Sequence, residues 1–387
     1  MKVPQMDLKR QYLTIKNEID GAIQHTIDRC AFVAGEKVKQ FENNFAEYCG
    51  VKHVVGISCG TSALYVALKT LGIGKGDIVV TVPYTFIATV EAITLAGARP
   101  VFVDIEKQSY NISAKKLKAY IEDYCEWNSE HKVLVDKKTN LNVKGIIPVH
   151  LYGQMSDMDE VMKLADQYNL LVLEDAAQAH GATYKDKKAG SIGHIGAFSF
   201  YPSKNLGAFG QGGAVITDDD TLATRVRMFI DHGQRTKYYY EFEGWNFKMD
   251  GFQAAVLDVK LKHLDDWNEA RRHNAKMYDE LLKDTDGVIL PDKMSDREHV
   301  YYLYVIRVND RASLQKYLSD NNIGSSIAYP IPLHTQNAYQ CLGYKIGDFP
   351  NTEECVKGVL SLPMFPELAS EEIKYVCEVI KKWCNRR

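Results

Sequence analysis

Two ionisable side chains follow two apolar runs in a way that could bring both to one ligand. Residues 170–173 form a short, continuous apolar run, typical of a strand buried on both faces, and Asp175 follows it. A second apolar run, 195–201, precedes Lys204. Ligands of open α/β sheets bind at the carboxyl ends of the strands. We therefore expect a carboxylate and an amine to face the same small molecule.

This pair suits pyridoxal phosphate (PLP). The cofactor takes an amine as a Schiff base, and a carboxylate keeps its pyridine nitrogen protonated so that the ring acts as an electron sink. Lys204 and Asp175 have these two chemistries. Taken singly, a lysine after a strand is usually a solvated surface residue, and an aspartate there is most often a helix N-cap. Only their joint occurrence favours the cofactor.

Two longer motifs surround the pair. Residues 174–181 read EDAAQAHG, and residues 199–207 read SFYPSKNLG. Together they resemble the sugar aminotransferases of the DegT/StrS type, which use PLP on nucleotide-linked ketosugars, and the resemblance spans nearly the whole chain. It implies that Lys204 and Asp175 are the catalytic residues. Related proteins that dehydrate sugars have a histidine where the lysine should be, so Lys204 favours amino transfer.

The resemblance also implies a set of cofactor contacts. Residues 58–64 form a turn that opens a helix, where backbone N–H groups favour an anion, although simple capping would give the same pattern. In the family this turn holds the cofactor phosphate, and an aromatic ring covers the pyridine face. Besides the catalytic pair, the implied contacts are Gly60, Thr61 and Ser62 at the phosphate, Phe86 on the ring face, Gln178 at the ring oxygen, Ser199 at the phosphate, and Asn246 at the phosphate of the neighbouring subunit.

Candidate substrate residues come from the tip of a strand and from two loops. The loop 329–336, YPIPLHTQ, resembles a signature of the family's 3-ketosugar branch, and 231–234 read DHGQ. For the histidine at 334, packing or solvation is an equal alternative. Position 248 more often carries Arg in the family, and Lys is no equivalent where a bidentate contact is needed. The predicted substrate residues are His150, Tyr152, His232, Tyr329 and His334.

Strands that alternate with helices from 54 to 217 predict an α/β fold with a mostly parallel sheet. The resemblance implies the architecture of aspartate aminotransferase, fold type I. We expect a large PLP-binding domain over 1–250 and a smaller C-terminal α+β domain over 251–387, which opens with a long linking helix, 254–272. The pattern of an insert at about 122–144 predicts a β-hairpin. The insert could border the substrate entrance or a subunit contact, but an insertion without a functional role is favoured.

Composition limits the partners. The 387 residues carry 47 Lys+Arg and 50 Asp+Glu, a formal charge of −3, and no long basic block, so nucleic acid is not an expected partner. The 8 cysteines are scattered without metal-ligand spacing, which predicts reduced thiols, no metal site and a cytoplasmic location. No apolar run in the sequence is long enough to predict a membrane span.

The resemblance implies transfer of an amino group from glutamate to a sugar ketone by a homodimer with shared active sites. The two loops favour a dTDP-linked 3-keto-6-deoxyhexose, which would give a 3-amino sugar for O-antigen or other glycans. A UDP-linked 3-keto uronic acid is the nearest alternative, and a 4-ketosugar comes next. A non-catalytic regulator that binds a sugar nucleotide is an alternative of a different class.

Overall fold

The computed structural model describes residues 1–386, and strands and helices alternate through most of the first two thirds of the chain. The strands are β1 (His53–Ile57), β2 (Asp77–Thr81), β3 (Arg99–Phe102), β4 (Cys125–Asn128), β5 (Val133–Asp136), β6 (Asn142–Ile146), β7 (Leu171–Asp175), β8 (Thr183–Tyr184), β9 (Lys187–Lys188), β10 (Ile195–Ser199), β11 (Gly213–Thr217), β12 (Gln234–Thr236), β13 (Tyr239–Tyr240), β14 (Val288–Ile289), β15 (Arg297–Glu298), β16 (Tyr304–Val308) and β17 (Val359–Leu362).

A nine-stranded sheet forms the centre of the molecule, and its main path runs β1-β11-β10-β7-β6-β2-β3. Neighbours are parallel from β10 to β3, whereas β11 is antiparallel to both β1 and β10. The predicted mostly parallel sheet is confirmed. Because β7 and β10 are adjacent and parallel, their carboxyl ends open onto the same edge.

Thirteen α-helices occur within residues 1–386. They are α1 (Leu8–Thr14), α2 (Lys16–Asp28), α3 (Glu36–Cys49), α4 (Gly60–Thr70), α5 (Ala88–Leu95), α6 (Ala114–Tyr124), α7 (Met158–Gln167), α8 (Asp220–Phe229), α9 (Gly251–Leu261), α10 (Leu264–Leu282), α11 (Arg311–Asp320), α12 (Pro350–Gly358) and α13 (Ser370–Cys384). No helix among these described residues is both long enough and apolar enough to cross a membrane.

Side chains at the helix ends account for several boundaries. Asp157 caps α7 by accepting a hydrogen bond from the Glu160 N–H, and Asp219 caps α8 in the same way. Gly50 ends α3 with φ 70°, a left-handed conformation that glycine adopts without a Cβ clash. The predicted helix 254–272 is two helices, because the chain breaks at 262–263 between α9 and α10. Residues 323 and 326 form isolated bridges with residues 3 and 361.

Two main apolar cores divide the chain. The larger one lies around the central sheet, and the smaller one joins α10, α11 and α13 to the sheet of β14, β16 and β17. Val3 belongs to the smaller core, since its N–H donates to Asn322 O (3.0 Å) and its carbonyl accepts from the Gly324 N–H (2.8 Å). The predicted domain division at 250 stays a prediction.

The insert extends the sheet. β5 pairs antiparallel with the first residues of β6, as the predicted hairpin requires, and β4 pairs with the other side of β5. The pairing uses residues 142 and 143, at the start of β6. The insert therefore lies towards the amino end of β6, away from the edge that carries Asp175.

Candidate active site

Asp175 is buried at the end of β7 and held by two hydrogen bonds. Thr89 Oγ1 donates to its Oδ2 (2.8 Å), and the Ala177 N–H donates to its Oδ1 (3.2 Å). Burial raises the pKa of Asp175, and these two hydrogen bonds and the positive charge of Lys204 offset only part of that effect. Asp175 is thus a fixed carboxylate, near Lys204, with little contact with water.

Lys204 lies in the loop after β10, half-buried at the same edge. Its Nζ lies 4.4 Å from the centre of the Tyr302 ring. No carboxylate of residues 1–386 forms an ion pair with it. The structure therefore brings the two predicted catalytic residues together and leaves the amine without a carboxylate partner.

Two buried amides hold the lysine loop in place. Asn205 Nδ2 donates to Asn268 Oδ1 and to Val300 O, both at 2.9 Å. Asn268 Nδ2 donates to His180 O (2.9 Å), in the loop that follows Asp175. Because all four groups are buried, these bonds are shielded from water. One side chain of α10, Asn268, therefore links the loops of both catalytic residues.

The amino end of α4 faces the same region. Ser62 closes the turn through hydrogen bonds with the Cys59 backbone, while the N–H groups of Gly60 and Thr61 have no hydrogen bond within the described residues. A Cβ on Gly60 would lie 2.5 Å from Ser199 Cβ, so only glycine allows this close approach. Free N–H groups at a helix N-terminus, beside the Ser199 hydroxyl, fit a phosphate.

Gln178, Tyr329 and Phe86 form one wall of the site. Gln178 Oε1 accepts from the Tyr152 N–H (2.8 Å), and its Nε2 donates to the Tyr329 hydroxyl (3.0 Å). The Phe86 ring lies 5.8 Å from the Tyr329 ring and is 53% exposed. Phe86 is therefore partly open to solvent beside Tyr329. Its stacking on a cofactor stays a prediction.

His150 does not meet a substrate, contrary to the sequence expectation. It is fully buried, its Nε2 bonds Glu174 Oε2 (2.8 Å), and its Nδ1 accepts from the Ser156 N–H (3.1 Å). Burial alone would raise the pKa of Glu174, but hydrogen bonds from His150 and from the N–H groups of Gly190 and Gly193 outweigh it and lower that pKa. Both ring nitrogens of His150 are occupied, so its role is structural.

We predict that His150→Leu destabilises the fold without affecting substrate affinity. The change leaves the Glu174 carboxylate buried without its side-chain partner, at a cost of about 3 kcal/mol. Thermal unfolding measures the loss, and KM for the sugar in the folded fraction should stay within about twofold of the unchanged protein. His131→Leu, at an exposed histidine, is the control. A large rise in KM with unchanged stability would restore His150 to the substrate site.

Two other predicted substrate residues are also buried in packing roles. The Tyr152 hydroxyl bonds the Tyr84 hydroxyl (2.6 Å) and the Ala328 carbonyl, beneath the Tyr329 loop. His334 is 1% exposed, bonds Glu353 Oε1 through Nε2 (3.1 Å) and packs against the Phe349 ring. Neither side chain opens onto the Lys204 site. For Tyr152 the sequence expectation was wrong, because burial by distant segments could not be foreseen. For His334 the structure agrees with the packed alternative that the sequence left equally open.

His232 and Asn246 are exposed and lie on a neighbouring ladder, where residue 231 bridges residue 246. Within the described part of the chain, neither forms a hydrogen bond with Lys204 or Asp175. Lys248, in place of the usual Arg, forms an ion pair with Asp231. This ion pair links the two segments of the ladder. The Ser58 N–H donates to Phe247 O (2.8 Å), which places the ladder beside the phosphate turn. Asn246 is exposed on this ladder, and its role at a neighbouring subunit stays a prediction.

The loop after Lys204 has a further anchor with a pH dependence. Lys260 on α9 is buried and donates from Nζ to Gly207 O (2.8 Å). Burial lowers the pKa of Lys260 to about 8 from its ordinary value of 10.5, although the Glu367 carboxylate acts in the opposite direction. Between these two pH values the unfolded chain holds a proton that the folded protein has lost. Lys260 therefore makes stability rise with pH across this window.

We predict that Lys260→Met removes this rise. The free energy of unfolding of the unchanged protein should gain on the order of 3 kcal/mol from Lys260 between about pH 8 and pH 10.5. Denaturant unfolding of both proteins across the window measures the difference, with the exposed Lys262→Met as the control. A difference between the two proteins that stays constant with pH would contradict the prediction.

Sequence reasoning missed several site residues. Thr89, Asn268 and Tyr302 touch the catalytic residues or their loops but lie outside both motifs, and Asn205 lies inside the motif 199–207 without an assigned role. Thr89 had a weak signal, since it opens a helix after a strand at the ligand edge. For Asn268 and Tyr302 the contacts span 63 residues or more of chain, so no local signal existed.

Known proteins are similar to this chain in sequence and in fold. The chain is 42% identical over 385 residues to a pleiotropic regulatory protein of Geobacillus stearothermophilus, with 99% of each covered. It is 38% identical over 385 residues to dTDP-3-amino-3,4,6-trideoxy-alpha-D-glucose transaminase of Streptomyces venezuelae, covering 100% of this chain and 97% of that protein. The crystal structure of S. venezuelae DesV in complex with a ketimine intermediate matches with a TM-score of 0.93 and 37% identity, covering 100% of this chain and 99% of DesV.

These likenesses confirm the predicted α/β architecture of fold type I. The family model of the DegT/DnrJ/EryC1/StrS aminotransferases matches residues 13–381, nearly the whole sequence. The chain belongs to the DegT/DnrJ/EryC1/StrS aminotransferase family.

Proposed function

We propose that the protein is a PLP-dependent aminotransferase that moves the amino group of glutamate to the C-3 ketone of a nucleotide-linked sugar. The preferred substrate is a dTDP-linked 3-keto-6-deoxyhexose, and the product is a 3-amino sugar for O-antigen or other glycans. The observation that carries the proposal is the pairing of Lys204 with the buried Asp175 at one sheet edge, in a member of a sugar-aminotransferase family.

The residues at this edge fit the cofactor. Asp175 offers a buried carboxylate to a protonated ring nitrogen, and the free N–H groups of Gly60 and Thr61 offer a phosphate site. Gln178 Nε2 has one protein partner, so its second N–H can donate to the ring oxygen. When bound, PLP supplies the electron sink that amino transfer requires. Binding, orientation and proton transfer are left to the side chains and backbone groups of the protein.

Lys204 would hold the cofactor covalently and, once released, would transfer protons. Once its amine is free, Nζ takes and returns the proton that moves during amino transfer, a general acid/base task. Thr89 keeps the Asp175 carboxylate oriented through its 2.8 Å hydrogen bond. The Asn205–Asn268 pair keeps the loops of both residues at a constant separation. Tyr329 and Phe86 border the entrance, where the sugar would enter.

We further propose that two copies of the chain share their active sites, with Asn246 of each copy reaching the phosphate site of the other. The exposure of Asn246 supports this arrangement, as does a set of exposed aromatic residues. Lone exposed aromatics are ordinary, but several on the site's loops indicate an interface. These are Phe32, Tyr201, Phe209, Trp245 and the three tyrosines 238–240.

All eight cysteines are free, which suits a reducing cytoplasm.

A substrate panel tests the proposal. The purified protein should be yellow, and borohydride should fix the cofactor to Lys204, as mass spectrometry of the Lys204 peptide would show. Glutamate is then offered with dTDP- and UDP-linked 3-ketosugars and with 4-ketosugars. The largest turnover should come with the dTDP-linked 3-keto-6-deoxyhexose. Activity confined to UDP-linked uronic acids or to 4-ketosugars would refute the preferred substrate while leaving amino transfer intact.

One observation favours a second function. The relative from G. stearothermophilus is named for a regulatory role. A regulator that binds a sugar nucleotide would not need the amine of Lys204. The same preparation separates the two: a colourless protein that binds a sugar nucleotide but fixes no cofactor would support the regulator. A yellow protein that turns over its substrate would exclude it.

A further inference from the structure

The ring of Tyr302 is the only aromatic face, among residues 1–386, recorded within cation–π distance of Lys204. The Nζ atom lies 4.4 Å from the ring centre, inside the range of about 6 Å over which an ammonium is attracted to an aromatic face. Neither residue was linked to the other by any sequence motif. The contact joins the loop after β10 to the segment before β16.

Tyr302 is held both through its backbone segment and through its hydroxyl. Its segment is held because Val300 O accepts from Asn205 Nδ2 (2.9 Å), and Asn205 is the residue next to Lys204. Its hydroxyl lies 3.3 Å from Ser203 Oγ, on the other side of Lys204. The neighbours of the lysine on both sides therefore position the ring. Such an arrangement places the aromatic face before any ligand arrives.

While Lys204 lies on the Tyr302 ring, the Asp175 carboxylate forms no ion pair with the amine. An ion pair between the two would occupy the carboxylate that the cofactor ring needs. No such ion pair exists within the described residues, and the Asp175 oxygens accept from Thr89 and Ala177 instead. An aromatic face attracts the ammonium without taking up a carboxylate, and it allows the amine to leave without breaking a strong hydrogen bond.

We propose that Tyr302 is a positioning residue that receives the charged ε-ammonium of Lys204 whenever this amine is not bonded to the cofactor. This inference rests on the proposed function and deepens it. During amino transfer Lys204 must be released, stay near the reacting atoms and hold a proton for part of the cycle. The ring of Tyr302 keeps Nζ beside the site, away from Asp175.

Amine labelling of the cofactor-free protein tests the proposal. Lys204 is labelled with limiting acetic anhydride, which reacts only with the uncharged amine, and mass spectrometry compares its label with that of the exposed Lys316. At neutral pH, Tyr302→Leu should label Lys204 about threefold to tenfold faster than the unchanged protein. Tyr302→Phe keeps the ring and should label at the unchanged rate. Equal rates in all three proteins would overturn the proposal.

A second arm separates attraction from shielding. Above about pH 11 most lysine amines are uncharged, so the difference between Tyr302→Leu and the unchanged protein should disappear. A difference that persists there would mean that the ring merely blocks the reagent, and would overturn the proposal. Since the labelling needs neither cofactor nor sugar, its outcome is independent of the substrate panel.

Discussion

Replacing Lys204 with Arg is expected to abolish amino transfer, with a loss of about three orders of magnitude or more. The guanidinium keeps the positive charge and much of the length of the side chain, but it forms no Schiff base and stays protonated at every working pH. Single-turnover assays with glutamate and the ketosugar measure the loss. Borohydride should then fix no cofactor to residue 204.

The fold should survive this change. Lys204 is half-buried and has no ion-pair partner among the described residues, so Arg leaves no buried charge without its partner. The thermal midpoint should stay within a few degrees of the unchanged protein, since the substitution opens no core cavity and leaves no buried charge unpaired. Lys316→Arg, at an exposed lysine of α11, is the matched control and should retain full activity. If Lys204→Arg keeps a tenth of the activity, the assignment of the catalytic lysine fails.

Asp175→Asn is expected to lower the turnover about a hundredfold while cofactor attachment persists. The change removes the negative charge that would stabilise a protonated ring nitrogen. A hydrogen bond to a charged group is worth up to about 3 kcal/mol, which corresponds to roughly a hundredfold in rate. Borohydride should still fix the cofactor to Lys204 in this variant. Lys204→Arg and Asp175→Asn thus lose activity for separable reasons.

Thr89→Val provides a graded control for Asp175. It removes the 2.8 Å hydrogen bond to Oδ2 but keeps the carboxylate, so a loss of about tenfold is expected. Asp175→Asn itself should fold, because burial already favours the neutral form of this side chain, as its raised pKa indicates. At most one of the two bonds from Thr89 and Ala177 is lost. Equal turnover in Asp175→Asn and the unchanged protein would exclude a role for the carboxylate at the ring nitrogen.

Local sequence determined the elements that carry the catalytic pair. The apolar runs that became β7 and β10 needed no distant contact to be recognised, because strands buried on both faces are apolar throughout. The turn at the start of α4 was also visible, but its phosphate role was implied only by the family resemblance, since simple capping gives the same pattern. Asp175 and Lys204 follow directly after the two apolar runs. Their common edge follows from the parallel pairing of β7 and β10.

The histidines and Tyr152 show where the sequence was insufficient. His150 stands at a strand tip like Asp175, yet its ring turns inwards to Glu174, while the carboxylate of Asp175 stays near Lys204. Residues alternate in direction along a strand, and an irregular tip does not keep that alternation. His334 has the loop context of a ligand residue, but Phe349 and Glu353 cover it. No pattern in one segment reveals which other segment will cover it.

The sequence by itself determined the fold class, the amine and the carboxylate of this protein, because each depends on short-range hydrophobic pattern and on motifs within a few residues. Only the tertiary structure decided which polar side chains reach the site. Asn268, Tyr302 and Thr89 come to Lys204 and Asp175 from distant parts of the chain. Their positions depend on how helices and loops pack over the sheet edge, and that packing is a property of the whole core.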